Sequence, residues 1–275
     1  MFRQNFYFGT IRKYVTLFGT LFDDIMITRT HNGEITELIK VPITYAPKEK
    51  MLARLNEDPN IDRPIATMNL PAMSFEMSSM TYDGSRKLNT IRKYVVSDPD
   101  NPNNMKYQYV PVAYNIGFRL NILVKNAEDG TKIVEQILPY FTPDWTTTVH
   151  LIPEMGVTLE IPVILTGVEQ EDSYSGDFKT RQSLTWTLNF MLKGYIYGPV
   201  KKGAIIKFAN TVFYAPDGPL ADSIAQSDPA QFTTVQPGLT ANGQPTSNAA
   251  ASIDPNLITA TSDFGYVTNT VILTT

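Results

Sequence analysis

Apolar positions recur along this chain with two periods, and the shorter one prevails. Between 11 and 22 they fall at helical spacing, with Ile11, Tyr14, Val15, Phe18, Leu21 and Phe22 on one stripe. A second stripe, Ile133, Val134, Ile137, Leu138 and Phe141, predicts a helix over 131–141, with Pro139 at a late kink or its end. A short third helix is predicted over 47–55, because Pro47 sits where a first helical turn tolerates proline. Elsewhere the period is two. Leu184, Trp186, Leu188 and Phe190 alternate with polar residues, and Ile39, Val41, Ile43 and Tyr45 alternate with Lys40, Pro42 and Thr44. Pro42 lacks a ladder donor, which predicts an edge or a bulge there. Residues 25–30 and 35–45 read as a hairpin with Asn32 and Gly33 at its turn. Further strands are predicted over 73–82, 88–96, 105–111, 116–124, 157–165, 183–192 and 204–214. The helices are not regularly interposed between strands, so the pattern is α+β rather than doubly wound.

Composition adds a boundary. The last basic residue is Lys207, and residues 215–275 hold five acids (Asp217, Asp222, Asp228, Asp254, Asp263) and no base. The net charge of −4 therefore lies in that tail, and the rest of the chain is close to neutral. Phe232, Phe264 and Tyr266 are the tail's only aromatics, in a chain with 14 Phe and 14 Tyr. Such a segment buries too little apolar surface to offset its ordering entropy alone. We therefore expect a domain over 1–214 and a polar, acidic, extended arm over 215–275 that ends in a β-branched strand over 264–273. That strand either returns to its own sheet or swaps into a neighbouring copy.

The chemistry that the sequence excludes is broad. There is no cysteine and there are two histidines, His31 and His150, so thiolate nucleophiles and the usual zinc sets are absent. The P-loop, GxGxxG, HExxH and GxSxG patterns are missing. Charged residues are only 18% of the chain, which argues against a basic nucleic-acid coat. No apolar run approaches the length of a membrane span, and the amino-terminal residues lack the apolar core of a signal peptide. A soluble, cytoplasmic, non-membrane protein is the expectation. The loop 97–104 fails as a calcium site, because Pro102 takes a ligand position and no glycine follows. Glu169, Glu171 and Asp172 invite a carboxylate-pair reading, with Trp145 and Trp186 as sugar platforms, but a solvated loop is the preferred account. His150 reads as structural. Short basic spots at Arg12 and Lys13, 48–54, Arg86 and Lys87, Arg92 and Lys93, and Lys201 and Lys202 read as solvated faces, or as contacts for an acidic protein partner such as the acidic tail of a neighbouring copy. The residues alone predict a structural or interaction protein, with no catalytic, metal or cofactor site.

Four blocks carry a resemblance. IRKYVTLFGTLFDDIMITR (11–29), IKVPITYAPKEKML (39–52), KIVEQILPYFTP (132–143) and LTWTLNFMLKGYIYGPV (184–200) are together similar to the tail sheath stabiliser and completion protein family of large contractile-tailed bacteriophages. No match is recognised after Tyr214. The resemblance implies a virion protein without enzymatic activity. It implies a tail-terminator-like fold, a mixed or antiparallel sheet with two or three helices packed on one side. It also implies a hexameric ring at the tail–neck junction, assembled in the host cytoplasm. The ring's partners would be the sheath protein, the tube or tube-terminator protein and the neck proteins, with DNA passing through unread. A tube terminator, neck connector or baseplate component is the nearest alternative. Arg12, Lys13, Tyr14, Lys48 and Lys50 lie in the family-like blocks and are expected at interfaces. Tyr266, Val267, Val271, Ile272 and Leu273 join them on the terminal strand.

Overall fold

The structure is a computed structural model and describes residues 5–31, 34–56, 70–174, 181–214 and 229–273. Along the chain come α1 (Thr10–Leu21), β1 (Met26–His31), β2 (Glu34–Lys40), β3 (Ile43–Tyr45), α2 (Lys48–Asn56), β4 (Ala72–Tyr82), β5 (Lys93–Ser97), β6 (Asn104–Tyr109) and β7 (Val112–Val124). Then follow α3 (Ala127–Ile137), β8 (Asp144–Ile152), β9 (Val157–Tyr174), β10 (Arg181–Ile196), β11 (Lys201–Ala204), β12 (Ala209–Tyr214), β13 (Pro229–Gly238) and β14 (Gly265–Ile272). The α+β reading holds. The turn residues Asn32 and Gly33 lie outside the described residues. The chain forms two compact units, Met1–Thr90 with Val110–Gly198, and Ile91–Tyr109 with Pro199–Thr275. The expected boundary after Tyr214 falls inside the second of these.

The first unit is built on a six-stranded sheet in the order β3-β4-β7-β10-β9-β8, with β3 parallel to β4 and every other pairing antiparallel. Pro42 ends the run from β2 before β3, which is the edge strand, so the proline costs no central ladder bond. Alternate residues of β7, from Ile116 and Phe118 to Leu120, Ile122 and Val124, are buried on one face. Their partners on β10 include Leu192, Phe190, Leu188 and Leu184, all buried on the same face. Helix α1 lays Phe18 on this face, its ring stacked on Phe118 at 4.5 Å. Helix α3 crosses the same face at Gly130, where an added Cβ would lie 2.6 Å from Trp186 Nε1 and 3.2 Å from Val124 Cγ2. Glycine is needed there because the helix backbone rests on the indole.

Helix α2 departs from expectation. Its Met51 clusters with Ala46, Ala72 and Leu123, and Leu123 points to the face opposite Ile122. The helices therefore cover both faces of the sheet rather than one. Central strand β7 explains this, since Asn121 and Leu123 are as fully buried as Leu120 and Ile122. The β1–β2 hairpin is tied to α3 by a bidentate pair, Arg29 Nη1 and Nη2 to Asp129 Oδ1 and Oδ2 at 2.7 and 2.8 Å. Asp129 also lies in the first turn of α3, where the helix dipole favours a carboxylate.

The second unit holds two three-stranded sheets, β11-β6-β5 and β12-β13-β14. The expected strand over 204–214 is split between β11 and β12, and that over 88–96 begins only at Lys93. The polar tail is more ordered than its composition predicts. Strand β13 pairs with β12 on one side and β14 on the other, all within one chain. The connection between β13 and β14 is closed by backbone bonds, such as Thr246 N–H to Gly238 O at 3.1 Å and Ile253 N–H to Leu239 O at 2.7 Å. Main-chain pairing replaces the missing apolar core, and among described tail residues the buried large apolar side chains are Leu239, Ile258 and Val267. Asp217, Asp222 and Asp228 lie outside the described residues.

Candidate interaction surfaces

The residues that invited an enzymatic reading do not converge. Glu169, Glu171 and Asp172 lie on β9 rather than in a loop. Lys48 forms an ion pair with Glu171, and Asn189 Nδ2 donates to Glu169 at 3.3 Å. Trp145 pairs with Val163, eight positions before Glu171 on that strand, or about 27 Å of extended chain. Trp186 lies under α3. His150 is exposed at the sheet's edge strand, with its Nδ1 2.9 Å from Thr158 Oγ1. Among the described residues no group of acidic and histidine side chains has metal-binding geometry. The Asp98 carboxylate is held by Lys202 at 2.9 Å and by Lys106 at 3.1 Å. The Lys202 ammonium foremost, with Lys106 beside it, keeps that carboxyl below the usual carboxylate range. Asp98 is thus an internal carboxylate with its charge already met by two ammonium groups.

The expected interface residues divide into core and surface. Tyr14 belongs to the core. It is fully buried, its hydroxyl donates to Tyr195 O at 2.7 Å, and it accepts from Tyr195 N–H at 2.9 Å. A side chain so placed presents nothing to a partner. Val267 is likewise buried, against Gly238 and the β13–β14 connection, and leaves the expected set for the same reason. Lys13 reaches across to the carbonyls of His150 and Leu151 at 3.1 and 2.7 Å, so it anchors α1 to β8. Lys48 is engaged by Glu171. Arg12 and Lys50 are exposed on α1 and α2. Tyr266, Val271, Ile272 and Leu273 are exposed.

The terminal strand pairs with β13 of its own chain, from Gly265 opposite Gly238 to Ile272 opposite Gln231. The sheet it completes has an unusual surface. Strands β12, β13 and β14 contain no charged residue at all, yet Val212, Phe213, Tyr214, Val271 and Ile272 are exposed. Strands β12 and β14 are the sheet's two edges. Soluble proteins guard such edges with charges, prolines or bulges, and an unguarded edge is a template for a further strand.

A family model described as T4-like virus Myoviridae tail sheath stabiliser matches residues 5–261. The chain belongs to this family. It is 30% identical over 226 residues to "Tail completion protein gp15" of Enterobacteria phage T4, covering 78% of this chain and 82% of that relative. Membership makes this a protein of the bacteriophage tail. The family match contains all four blocks that carried the resemblance. It also runs on through β13 to residue 261, past the point where the sequence alone gave no likeness.

Arg92, Lys93 and Lys201 belong to basic spots that the sequence offers as solvated faces or as contacts for an acidic partner, without joining them to one another. Pairing of β5 and β11 onto β6 brings them to one sheet with Tyr107 and Tyr109. The signal was the two bases beside an aromatic in 92–94 together with MKYQY, which no single-strand reading could connect to residue 201.

Proposed function

We propose that copies of this chain close into a six-membered ring at the head-proximal end of a contractile tail. The ring caps the last sheath disc and the tube end and offers its other side to the neck proteins. The observation that carries this reading is the match to the tail sheath stabiliser family over nearly the whole chain. A relative titled as a tail completion protein supports it. The role is structural, without catalysis, and DNA passes through the ring without being read. Near-neutral residues ahead of the tail fit such a passage, because strong phosphate binding would retard it.

Attachment to the sheath is by strand addition. A free sheet edge accepts an extended arm through main-chain hydrogen bonds, and β14 is such an edge without a charge on it. Leu273 N–H bonds inward to Ala230 O, so the alternating N–H groups of Tyr266, Thr268, Thr270 and Ile272 point outward. Thr270→Pro deletes one outward donor and leaves the main-chain bonds to β13 in place, at the loss of the 3.4 Å contact between the Thr233 and Thr270 hydroxyls. Binding of the purified sheath protein, measured by pull-down and titration, is expected to weaken at least about tenfold in this variant, a loss of roughly one well-placed hydrogen bond. Unchanged binding removes β14 from the attachment site. Native mass spectrometry over a range of protein concentrations and salt strengths tests the ring. If the protein is monomeric alone, mixing it with purified tails and imaging their ends decides whether the ring forms only on a tail.

A further inference from the structure

In the second unit Lys93 and Lys201 lie toward one end of the β5–β6 hairpin, and the connection that carries Asp254 and Asp263 is fixed at the other. Lys93, at the open end of β5–β6, is opposite Tyr109, and Lys201 on β11 is opposite Tyr107. Cross-strand partners share a face, so Lys93, Val95, Tyr107, Tyr109 and Lys201 project together from the β11-β6-β5 sheet. Lys93 Nζ lies 5.1 Å from the ring centres of both Tyr107 and Tyr109, and Lys201 Nζ lies 5.9 Å from that of Tyr109. Two ammonium groups thus converge on one tyrosine ring. The three strands place no carboxylate on this face, and among the described residues neither lysine has an acidic partner. The unit's internal carboxylate, Asp98, is already spent on Lys106 and Lys202.

The other end of the hairpin is acidic. The β5–β6 turn at 98–103 is about 14 Å of strand away from Lys93. There, Pro102 O accepts from Ala260 N–H at 3.0 Å, which fixes the β13–β14 connection to the turn. That connection carries Asp254 and Asp263, both exposed and without a cationic partner among the described residues. It also exposes Leu257, and Tyr266 follows just beyond it on β14. One unit therefore presents a basic tyrosine face at one end and, at the other, a partly apolar surface with Asp254 and Asp263, where Lys207 Nζ donates to Asn256 O at 2.8 Å.

We propose that these two ends are the two halves of a head-to-tail contact between copies of this chain. The Lys93, Tyr109 and Lys201 face of one copy receives the Asp254 and Asp263 connection of the next. A ring requires such a heterologous contact, in which two different patches meet and neither needs to be self-complementary. Tyrosine with exposed Val95 and Leu257 gives the contact the composition of a protein interface, and the unmatched charges give it orientation. Nucleic acid fits this face less well. The lysines already cover the tyrosine rings, so bases have no open ring to stack upon, and two cations neutralise few phosphates. The inference rests on the self-assembly reading above and names the patches that perform it.

Charge exchange tests it. Lys93→Glu/Lys201→Glu and Asp254→Lys/Asp263→Lys are each expected to raise the concentration for half-assembly by about tenfold or more, as two opposed charges become two like ones. Circular dichroism is expected to be unchanged, since all four residues are at the surface and the side-chain hydrogen bond lost is that from Asn256 N–H to Asp254 at 2.9 Å. An equimolar mixture of the two variants is expected to assemble again with the two chains alternating, because every contact in that mixture joins opposite charges. Native mass spectrometry reads that alternation from the masses. Oligomers that survive both charge reversals overturn this contact while leaving the ring standing. Wild-type monomers in solution and on tails overturn both readings. If Lys93→Glu/Lys201→Glu assembles normally but loses binding to a short fluorescein-labelled DNA duplex, the face belongs to nucleic acid and the proposal falls.

Discussion

Phe18→Ala is expected to destabilise the first unit by about 3–5 kcal/mol, the range for deleting a buried aromatic ring. Phe18 is fully buried. Its ring stacks on Phe118 at 4.5 Å and 9°, meets Phe190 edge-on at 5.3 Å, and touches Phe75 and Phe22 at 5.5 and 5.1 Å. Those rings come from β4, β7 and β10 and from Phe22 just past the end of α1, so one side chain links the helix to three adjacent strands. Collapse into the vacated space is restricted. At the next residue, Gly19, even an added Cβ would come within 2.9 Å of Phe75, so α1 already lies as close to the sheet as it can. Urea unfolding followed by tryptophan fluorescence isolates the effect, because Trp145 and Trp186 are the chain's two tryptophans and both belong to the first unit. Ile11→Ala serves as the control. It lies on the same predicted stripe but is 41% exposed, and its loss is expected to cost no more than about 0.5 kcal/mol. A Phe18→Ala loss no larger than the control's would mean that the aromatic cluster does not hold the helix.

Which parts of this architecture were legible depended on whether burial left a one-sided pattern. Helices α1 and α3 and strand β10 did so, since each meets a thick apolar layer on one face. Strand β8 left none. DWTTTVHLI is buried only at Leu151 and Ile152, and along the rest of this outermost strand the burial is partial at most. Strand β13, PAQFTTVQPG, has the composition of a polar linker, and main-chain pairing on both sides makes it a strand. Carboxylates at 169–172 suggested a loop because a long β9 was not expected to run past its apolar half. Helix α2 on the second face was hidden for a related reason: β7 is buried on both sides, and a continuous apolar run does not say which helix covers which side. At the surfaces, family-like blocks pointed to residues, but a block does not separate a residue that packs from one that projects. Lys13 and Lys48 kept their charge for partners inside the chain, while Lys93 and Lys201, a hundred residues apart, needed the sheet to bring them together.

Tyr14 shows the same distinction in a form that pH can read. Burial pushes its hydroxyl up to about 12 from the ordinary 10, against the hydrogen bond from the Tyr195 backbone and the nearby Arg86 cation, which pull it down. The folded chain therefore holds this proton more tightly than the unfolded chain. Below pH 10 both states are protonated and the contribution is whole; as pH rises from about 10 to 12 the unfolded state releases its proton first, and stability falls by about 3 kcal/mol. Tyr14→Phe removes that titration. It also leaves the Tyr195 N–H and carbonyl without their partner, a loss of about 1–3 kcal/mol near neutral pH. Wild type is thus expected to be the more stable protein at pH 8 and to lose that advantage by pH 12, with the other tyrosines and the lysines cancelling in the comparison. Urea titrations of both proteins across that range measure the gap. A gap that stays constant would place the hydroxyl in water, where an interface residue of a lone chain would be. A gap that closes places it in the core, fastening α1 to the end of β10 and leaving the surface to the residues around it.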